Sequence, residues 1–127
     1  MIKEIINIKG APEAIGTYSQ GIRIGDFIYT SGQIPLDPQT GNVIEDDIKV
    51  EIRQVLDNLD AVLKGGGSSL KSAVKLTVFV TDLSIISALN EVFKEYFPKN
   101  PPARSAVQVS ALPMGARIEI EAVGFME

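Results

Sequence analysis

Histidine and cysteine are both absent from the 127-residue sequence. Without them the chain has no Ser-His or Cys-His nucleophile, no imidazole or thiolate metal ligand and no disulfide. Any chemistry must therefore use arginine, lysine, carboxylates, hydroxyls, amides or backbone groups. A carboxylate-only site for magnesium or calcium stays possible in principle, but the sequence contains no Asp-x-Asp-x-Asp-Gly loop.

Long apolar runs and a surplus of basic residues are also missing. No stretch approaches the roughly 20 apolar residues of a membrane span, and the segment Met1–Ile5 lacks the apolar run of a signal peptide. The expected location is therefore the cytoplasm, with no membrane partner. A formal charge of −4 also argues against nucleic-acid partners.

The remaining composition is that of an ordinary α+β protein. A length of 127 residues and an apolar content of 45% predict one domain, residues 1–127, with a core of its own. Hydrophobic periodicity predicts strands at 22–24, 27–31, 73–81, 105–109 and 117–123, and helices at 47–64 and 84–96. A short strand at Asn42–Ile44 could complete the order ββ(β)αβαββ.

This order predicts a mixed six-stranded sheet with two helices packed on one face, because strand-helix-strand crossovers are almost always right-handed. The other face would carry Tyr29, Thr77 and Phe79, which are too apolar to stay wet over a wide area. We therefore expect this face to be covered by self-association.

Arg104 is the first candidate for a ligand-binding residue. It follows the double proline Pro101-Pro102 and opens the apolar segment Ala106–Val109. Each proline fixes its φ angle near about −65°, so stiff backbone sets the position of the arginine. Its guanidinium is a planar fork of donors that suits a carboxylate or a phosphate. A surface ion pair is the simpler alternative.

Glu119 is the second candidate. It alternates with apolar residues in the last predicted strand, so it shares one face with Arg117 and Glu121. The strands at 105–109 and 117–123 are joined by a short connection and are expected to pair, which would hold Glu119 near Arg104. A solvated face with local ion pairs explains the same pattern equally well.

Five separated segments together resemble the RidA (YjgF/YER057c/UK114) family of enamine/imine deaminases. In chain order they are Ala14–Gly21, Tyr29–Pro35, Val78–Leu83, Pro102–Ser105 and Ile118–Ala122, and they span nearly the whole chain. The resemblance implies a chorismate-mutase-like α+β fold and a homotrimer around a central β-barrel. It also implies three sites, one in each cleft between subunits.

The resemblance also assigns roles to single residues. Arg104 matches the arginine that binds the substrate carboxylate, and Glu119 matches the catalytic glutamate. The residues that match the lining of the same cleft are Tyr18, Ser31, Gly32 and Asn90. Ala106 stands where a cysteine is common, which leaves its backbone groups but removes any thiol role. Thr17 stands where a proline is usual.

The implied reaction is hydrolysis of 2-aminoacrylate, 2-iminopropanoate, 2-iminobutanoate and similar 2-imino acids to 2-oxo acids and ammonia. It needs no metal and no organic cofactor, and proton transfer by Glu119 would suffice. A non-catalytic trimer that binds 2-oxo acids, with a regulatory or chaperone-like role, is the first alternative. An endoribonuclease or translation inhibitor is the second, and the acidic charge and missing histidine argue against it.

Overall fold

Six strands and two α-helices are formed in the computed structural model, which describes residues 2–127. The helices are α1 (Ile48–Gly65) and α2 (Ile86–Tyr96). The strands are β1 (Glu4–Ile6), β2 (Gly21–Ile24), β3 (Phe27–Thr30), β4 (Ala73–Val80), β5 (Ala103–Gln108) and β6 (Ile118–Phe125). All strands join one sheet in the order β1-β2-β3-β6-β4-β5, in which only β4 and β5 are parallel. The predicted mixed six-stranded sheet with two helices is confirmed.

Helix α1 supplies the largest part of the core. Its apolar stripe is fully buried against the sheet and consists of Ile52, Val55, Leu56, Leu59, Val62 and Leu63. The side chain of Asp47 caps the helix by accepting a hydrogen bond from the Lys49 N–H at 2.9 Å, as its position before the first turn predicts. Gly66 ends the helix.

Helix α2 begins two residues later than the sequence predicts. Leu83–Ile85 form a 3-10 turn, and the Asp82 side chain accepts a hydrogen bond from the Ser84 N–H at 2.8 Å. Helix α2 then packs beside α1, with ion pairs such as Arg53–Glu95 on the outer surface. Neither helix in the described part of the chain has the length and apolar character needed to traverse a bilayer.

The sixth strand comes from the N-terminus and not from Asn42–Ile44. Glu4–Ile6 pair with β2, although so short a segment gives almost no periodic signal. The predicted strand at 42–44 is wrong, because this segment only closes a tight turn through an isolated bridge between Leu36 and Val43.

Strands β5 and β6 do not pair with each other, which corrects a second prediction. Strand β4 lies between them, pairing in parallel with β5 and antiparallel with β6. The crossover through α2 places β5 at the edge of the sheet, and the connection after β5 then passes β4 so that β6 fills the gap beside β3. A short connection between β5 and β6 therefore does not mean that the two strands pair.

The face of the sheet opposite the helices is open in a single protomer. Its exposed apolar side chains include Phe27, Tyr29, Val107 and Phe125, each more than two-fifths exposed. Val74 alternates with Leu76, Val78 and Val80 in the sequence and would share their buried face in a regular strand, but it lies at a register shift between Ala73 and Lys75 and is exposed. A bulge of this kind rotates the extra residue out of the alternating pattern.

Candidate functional site

Arg104 extends from the edge strand β5 on the helix side of the sheet. It pairs in register with Leu76, which is fully buried beneath the helices. Its Nη1 donates a hydrogen bond to the Asn90 Oδ1 at 2.8 Å, and its guanidinium carbon lies 5.4 Å from the centre of the Phe93 ring. Helix α2 thus holds one side of the fork, and within residues 2–127 no acceptor engages the Nε or Nη2 of Arg104.

The surroundings of Arg104 form a shallow cavity of about 460 Å³. The double proline forms one wall, and the rest is lined by α2 and the turn that follows it: Asn90, Phe93, Lys94 and Phe97. A carboxylate seated here would meet a guanidinium held by an amide and an aromatic ring. Such a group binds anions well because little freedom is lost on binding.

Glu119 extends from β6 on the opposite, open side of the sheet. It pairs with Phe79 of β4 and is only partly exposed. Burial, and then the neighbouring charge of Glu121, raise the pKa of the Glu119 carboxyl above its ordinary value of 4.5. Within residues 2–127 no protein group donates a hydrogen bond to this carboxylate, so it is available to a bound molecule.

Gly32 makes room for the Glu119 carboxyl. A Cβ atom at position 32 would lie 2.6 Å from the Glu119 Oε2, a distance that real contacts do not reach. The next residue, Gln33, exchanges backbone hydrogen bonds of 2.8 and 3.0 Å with Ile120, which fixes this segment beside β6. A side chain at this position would therefore require the Glu119 carboxyl to move.

A buried glutamine holds the loop that carries Tyr18. The side-chain amide of Gln20 accepts from the Ile8 N–H at 2.7 Å and donates to the Pro12 carbonyl at 2.9 Å. Its backbone carbonyl accepts from the Ser31 N–H at 2.9 Å, and the Ser31 hydroxyl donates to the Ser19 carbonyl at 2.5 Å. The Ser31 hydroxyl proton is therefore engaged, and its oxygen remains available as an acceptor.

These groups border one cavity of about 580 Å³. Its polar part is lined by Glu13, Tyr18, Gln20, Ser31, Gly32, Gln33 and Glu119, and its apolar part by Pro12, Ile15, Ile34, Leu36, Pro113 and Met114. The sequence argument identified four members of this lining, namely Tyr18, Ser31, Gly32 and Glu119. The apolar part was not predicted. Ile15 and Ile34 lie inside two of the five segments but were not singled out, and the other apolar residues lie outside all five.

Arg104 and Glu119 are not neighbours within one protomer, contrary to the sequence prediction. Arg104 pairs with Leu76 and Glu119 with Phe79 of the same strand. Residues three apart on a strand point to opposite faces and lie about 10 Å apart along it. The candidate residues therefore form two separate patches, one around Arg104 and one around Glu119.

Asn90 and Ala106 both belong to the patch around Arg104. Asn90 accepts the hydrogen bond from Arg104, and the Ala106 side chain packs against the core beside Val78. Because β5 is an edge strand, one side of its backbone has no neighbouring strand. Phe93, which the periodicity assigned only to the core, lies one helical turn after Asn90, and that spacing was the signal for its contact with Arg104.

Arg117 anchors the turn that precedes Glu119. Its Nη2 donates to the Glu51 Oε2 at 2.6 Å and to the Asp46 carbonyl at 3.0 Å. The Glu51 side chain is 5% exposed, whereas that of Arg117 is 47% exposed. The pair ties the start of β6 to α1.

Replacing Arg117 with methionine is expected to lower the free energy of unfolding by about 1–3 kcal/mol, because the buried Glu51 carboxylate loses its main partner. Arg53→Met breaks the exposed pair with Glu95 and should cost only about 0–1 kcal/mol. Urea unfolding of both variants at neutral pH measures the difference. Equal losses would show that the Glu51 pair is no more important than a surface pair.

Comparison with known proteins gives consistent matches over the whole chain. The family model described as Endoribonuclease L-PSP matches residues 8–126. A RutC family protein of Pyrococcus horikoshii is 47% identical over 126 residues, covering 99% of this chain and 100% of that protein. Human 2-iminobutanoate/2-iminopropanoate deaminase is 44% identical over 123 residues, covering 97% of this chain and 90% of that protein.

A solved structure agrees with these matches. The crystal structure of Escherichia coli TdcF with bound serine is 41% identical, with a TM-score of 0.92 and coverage of 98% of this chain and 99% of that one. A likeness of this extent includes every strand and both helices described above.

Proposed function

The chain belongs to the RidA/YjgF (Endoribonuclease L-PSP, RutC) family, and on that premise we propose that it hydrolyses 2-imino acids to 2-oxo acids and ammonia. The proposed substrates include 2-iminopropanoate, formed from 2-aminoacrylate, and 2-iminobutanoate. The proposal treats residues 1–127 as one cytoplasmic domain.

The observation that carries the proposal is the combination of an open guanidinium fork with a carboxyl group of raised pKa. Arg104 offers its Nε and Nη2 for a bidentate pair with the substrate carboxylate, while Asn90 and Phe93 hold the rest of the group. Glu119 is partly buried and takes up a proton more readily than an exposed glutamate. Imine hydrolysis requires one group that binds the substrate carboxylate and one that transfers protons.

In the proposed reaction Glu119 acts as the proton carrier. It accepts a proton from water as the water oxygen attacks the carbon of the protonated imine, which gives a neutral carbinolamine. It then returns this proton to the nitrogen, the carbon–nitrogen bond breaks, and ammonia leaves as the carbonyl forms, while Glu119 accepts the hydroxyl proton and releases it to water or ammonia. One water is consumed for each imine, and no electrons are transferred.

The smaller groups around Glu119 orient the substrate in this proposal. The Ser31 oxygen accepts a hydrogen bond from the imine N–H, since its own proton is donated to Ser19. Gly32 leaves room for the Glu119 carboxyl, and the Tyr18 ring covers the cavity. The backbone of Ala106 offers a further polar contact beside Arg104.

A site of this kind requires more than one copy of the chain. Arg104 and Glu119 extend from opposite faces of the sheet, so one substrate can reach both only if they belong to different protomers. The exposed aromatic face supplies apolar surface for assembly, and a homotrimer around a central barrel places one cleft between each pair of neighbours. The sites are therefore proposed to lie in the clefts between subunits.

The direct test is an assay of ammonia and 2-oxo acid release. Imines are generated in situ by an amino acid oxidase or a pyridoxal-phosphate dehydratase, and their decay is followed with and without this protein. Acceleration over the uncatalysed rate supports the proposal. A rate equal to that of the buffer control would refute it.

Mixed trimers test whether the site lies between subunits. The variants Arg104→Ala and Glu119→Gln are each expected to be nearly inactive. Unfolding and refolding them together at equal amounts should restore about a quarter of the wild-type activity, because that share of the clefts receives an intact Arg104 from one chain and an intact Glu119 from the other. Mixing without unfolding is the control. A site within one protomer gives no recovery.

Two alternatives make different predictions in the same assays. A non-catalytic sensor would bind 2-oxo acids through Arg104 without accelerating imine loss. The family model is described as an endoribonuclease, but RNA cleavage would have to proceed without histidine on a chain of net charge −4. RNA cleavage by pure protein that Arg104→Ala abolishes would favour that alternative.

A further inference from the structure

The cavity beside Glu119 is larger and more apolar than a three-carbon acid requires. It encloses about 580 Å³, within the range of about 300–1,000 Å³ that holds drug-sized ligands. A 2-iminopropanoate molecule has only a methyl side chain. Most of the cavity would therefore stay unfilled, even with part of its mouth closed by a second protomer.

The turn before β6 brings an apolar side chain to the mouth of this cavity. Pro113–Gly115 form a 3-10 turn in which Met114 adopts a φ angle of 56° and Gly115 one of 71°. Left-handed backbone is unfavourable for methionine, and residues held in it usually serve a local purpose. The turn is fixed on both sides, by the Pro113 ring and by the anchoring of Arg117 to Glu51.

Met114 is also too exposed for a purely structural role. It is 64% exposed, and two other apolar residues that line the same cavity, Ile15 and Ile34, are 82% and 7% exposed. A flexible thioether between a rigid proline and a glycine adapts well to ligands of different shape. The apolar surface is continuous with the Glu119 carboxyl through the common cavity.

We propose that Met114, Ile15 and Ile34 form a subsite for the apolar side chain of the substrate, so that the preferred 2-imino acids carry branched or thioether side chains larger than ethyl. This rests on the proposed function, because it takes the imine carbon to lie at Glu119. With the carboxylate at Arg104 and the imine at Glu119, the side chain enters the apolar part of the cavity. Met114 is then a specificity-determining residue.

The first test compares kcat/KM for 2-imino-4-methylpentanoate with that for 2-iminopropanoate. Each methylene that enters an apolar pocket changes kcat/KM by roughly tenfold or more, so the wild-type ratio should exceed about ten. The variant Met114→Asn keeps a residue that tolerates left-handed backbone but removes the apolar contact. Its ratio should fall by about tenfold, whereas Met114→Leu should retain the wild-type ratio.

A matched control is Ile2→Asn, which removes an apolar side chain that is 82% exposed and lines none of the cavities described above. It should leave the ratio unchanged. The subsite proposal would be refuted if wild-type protein hydrolysed both imines with similar kcat/KM, or if Met114→Asn did not alter the ratio. Neither result would contradict the proposed deaminase activity.

A binding measurement separates failure of the subsite from failure of the proposed function. Calorimetry gives Kd for 4-methyl-2-oxopentanoate and for pyruvate with wild type and Met114→Asn. If no imine is hydrolysed, the deaminase proposal fails. Tighter binding of the larger oxo acid, weakened by Met114→Asn, would still support the subsite, and equal binding of both would refute it.

Discussion

Replacing Glu119 with glutamine is expected to lower kcat for 2-iminopropanoate by about 10²–10⁴-fold, the usual contribution of a positioned proton carrier. Glutamine has nearly the same size and fits beside Gly32, but it cannot exchange a proton between water and the leaving nitrogen. Kd for pyruvate should change little, because the proposal places the carboxylate at Arg104. Steady-state kinetics and calorimetry measure the two effects separately.

The expected pH dependence of the proposed activity follows from the same residue. Because the pKa of Glu119 is raised above 4.5, the ionised form needed to accept a proton is complete only above that raised value. The acid limb of kcat/KM should therefore lie above pH 4.5. Glu121→Gln removes the neighbouring charge and should move this limb to lower pH while retaining most of kcat.

The stability of the Glu119→Gln variant provides a further check. A folded-state pKa above the unfolded value means that the folded chain holds the proton more tightly. The free energy of unfolding then falls as pH rises between the two values. Glutamine removes this cost, so the variant should unfold at higher urea concentration than wild type at neutral pH. Loss of activity together with loss of stability would indicate a structural role instead.

Replacing Arg104 with alanine is expected to lower kcat/KM by about 10²-fold or more, since hydrogen bonds to a charged group contribute roughly 1.5–3 kcal/mol each. Pyruvate binding should weaken in parallel. Arg104→Lys should recover only part of the loss, because a point charge cannot form the bidentate pair or retain the same contact with the Phe93 ring.

The matched control is Arg53→Ala, which removes an exposed arginine paired with Glu95 on the outer helix surface. It should leave kcat/KM and pyruvate binding at wild-type values. Undiminished pyruvate binding by Arg104→Ala would show that the carboxylate is held elsewhere. The proposed orientation of the substrate would then have to be abandoned.

Much of the fold was predictable because its elements have strong local patterns. The stripe of α1, its cap at Asp47 and the hairpin turn at Gly25, whose φ angle is 57°, all follow from short-range sequence. The pairing of β6 with β3 and β4 was not predictable in the same way. It depends on partners about 95 residues away in β3 and about 45 residues away in β4, which leave no periodic signal along the chain.

The candidate site shows the same difference between residues that local sequence identifies and an arrangement that depends on long-range pairing. Arg104 and Glu119 stand in recognisable motifs, so the sequence identified them as chemistry-bearing residues. Their separation depends on β4 lying between their strands, and the sequence argument placed them side by side. The Met114 turn was missed because only the folded backbone brings it to the same cavity as Ile15 and Ile34.

Because Arg104 and Glu119 lie on opposite faces of the sheet, the proposed activity depends on assembly of the chain. In a newly synthesised monomer the arginine and the glutamate could not contact the same substrate molecule. The monomer would therefore be inactive until it associated with further copies of the chain. The activity per chain would then rise with the concentration of the protein. A substitution confined to the contact surface would abolish the activity even though Arg104 and Glu119 remained unchanged.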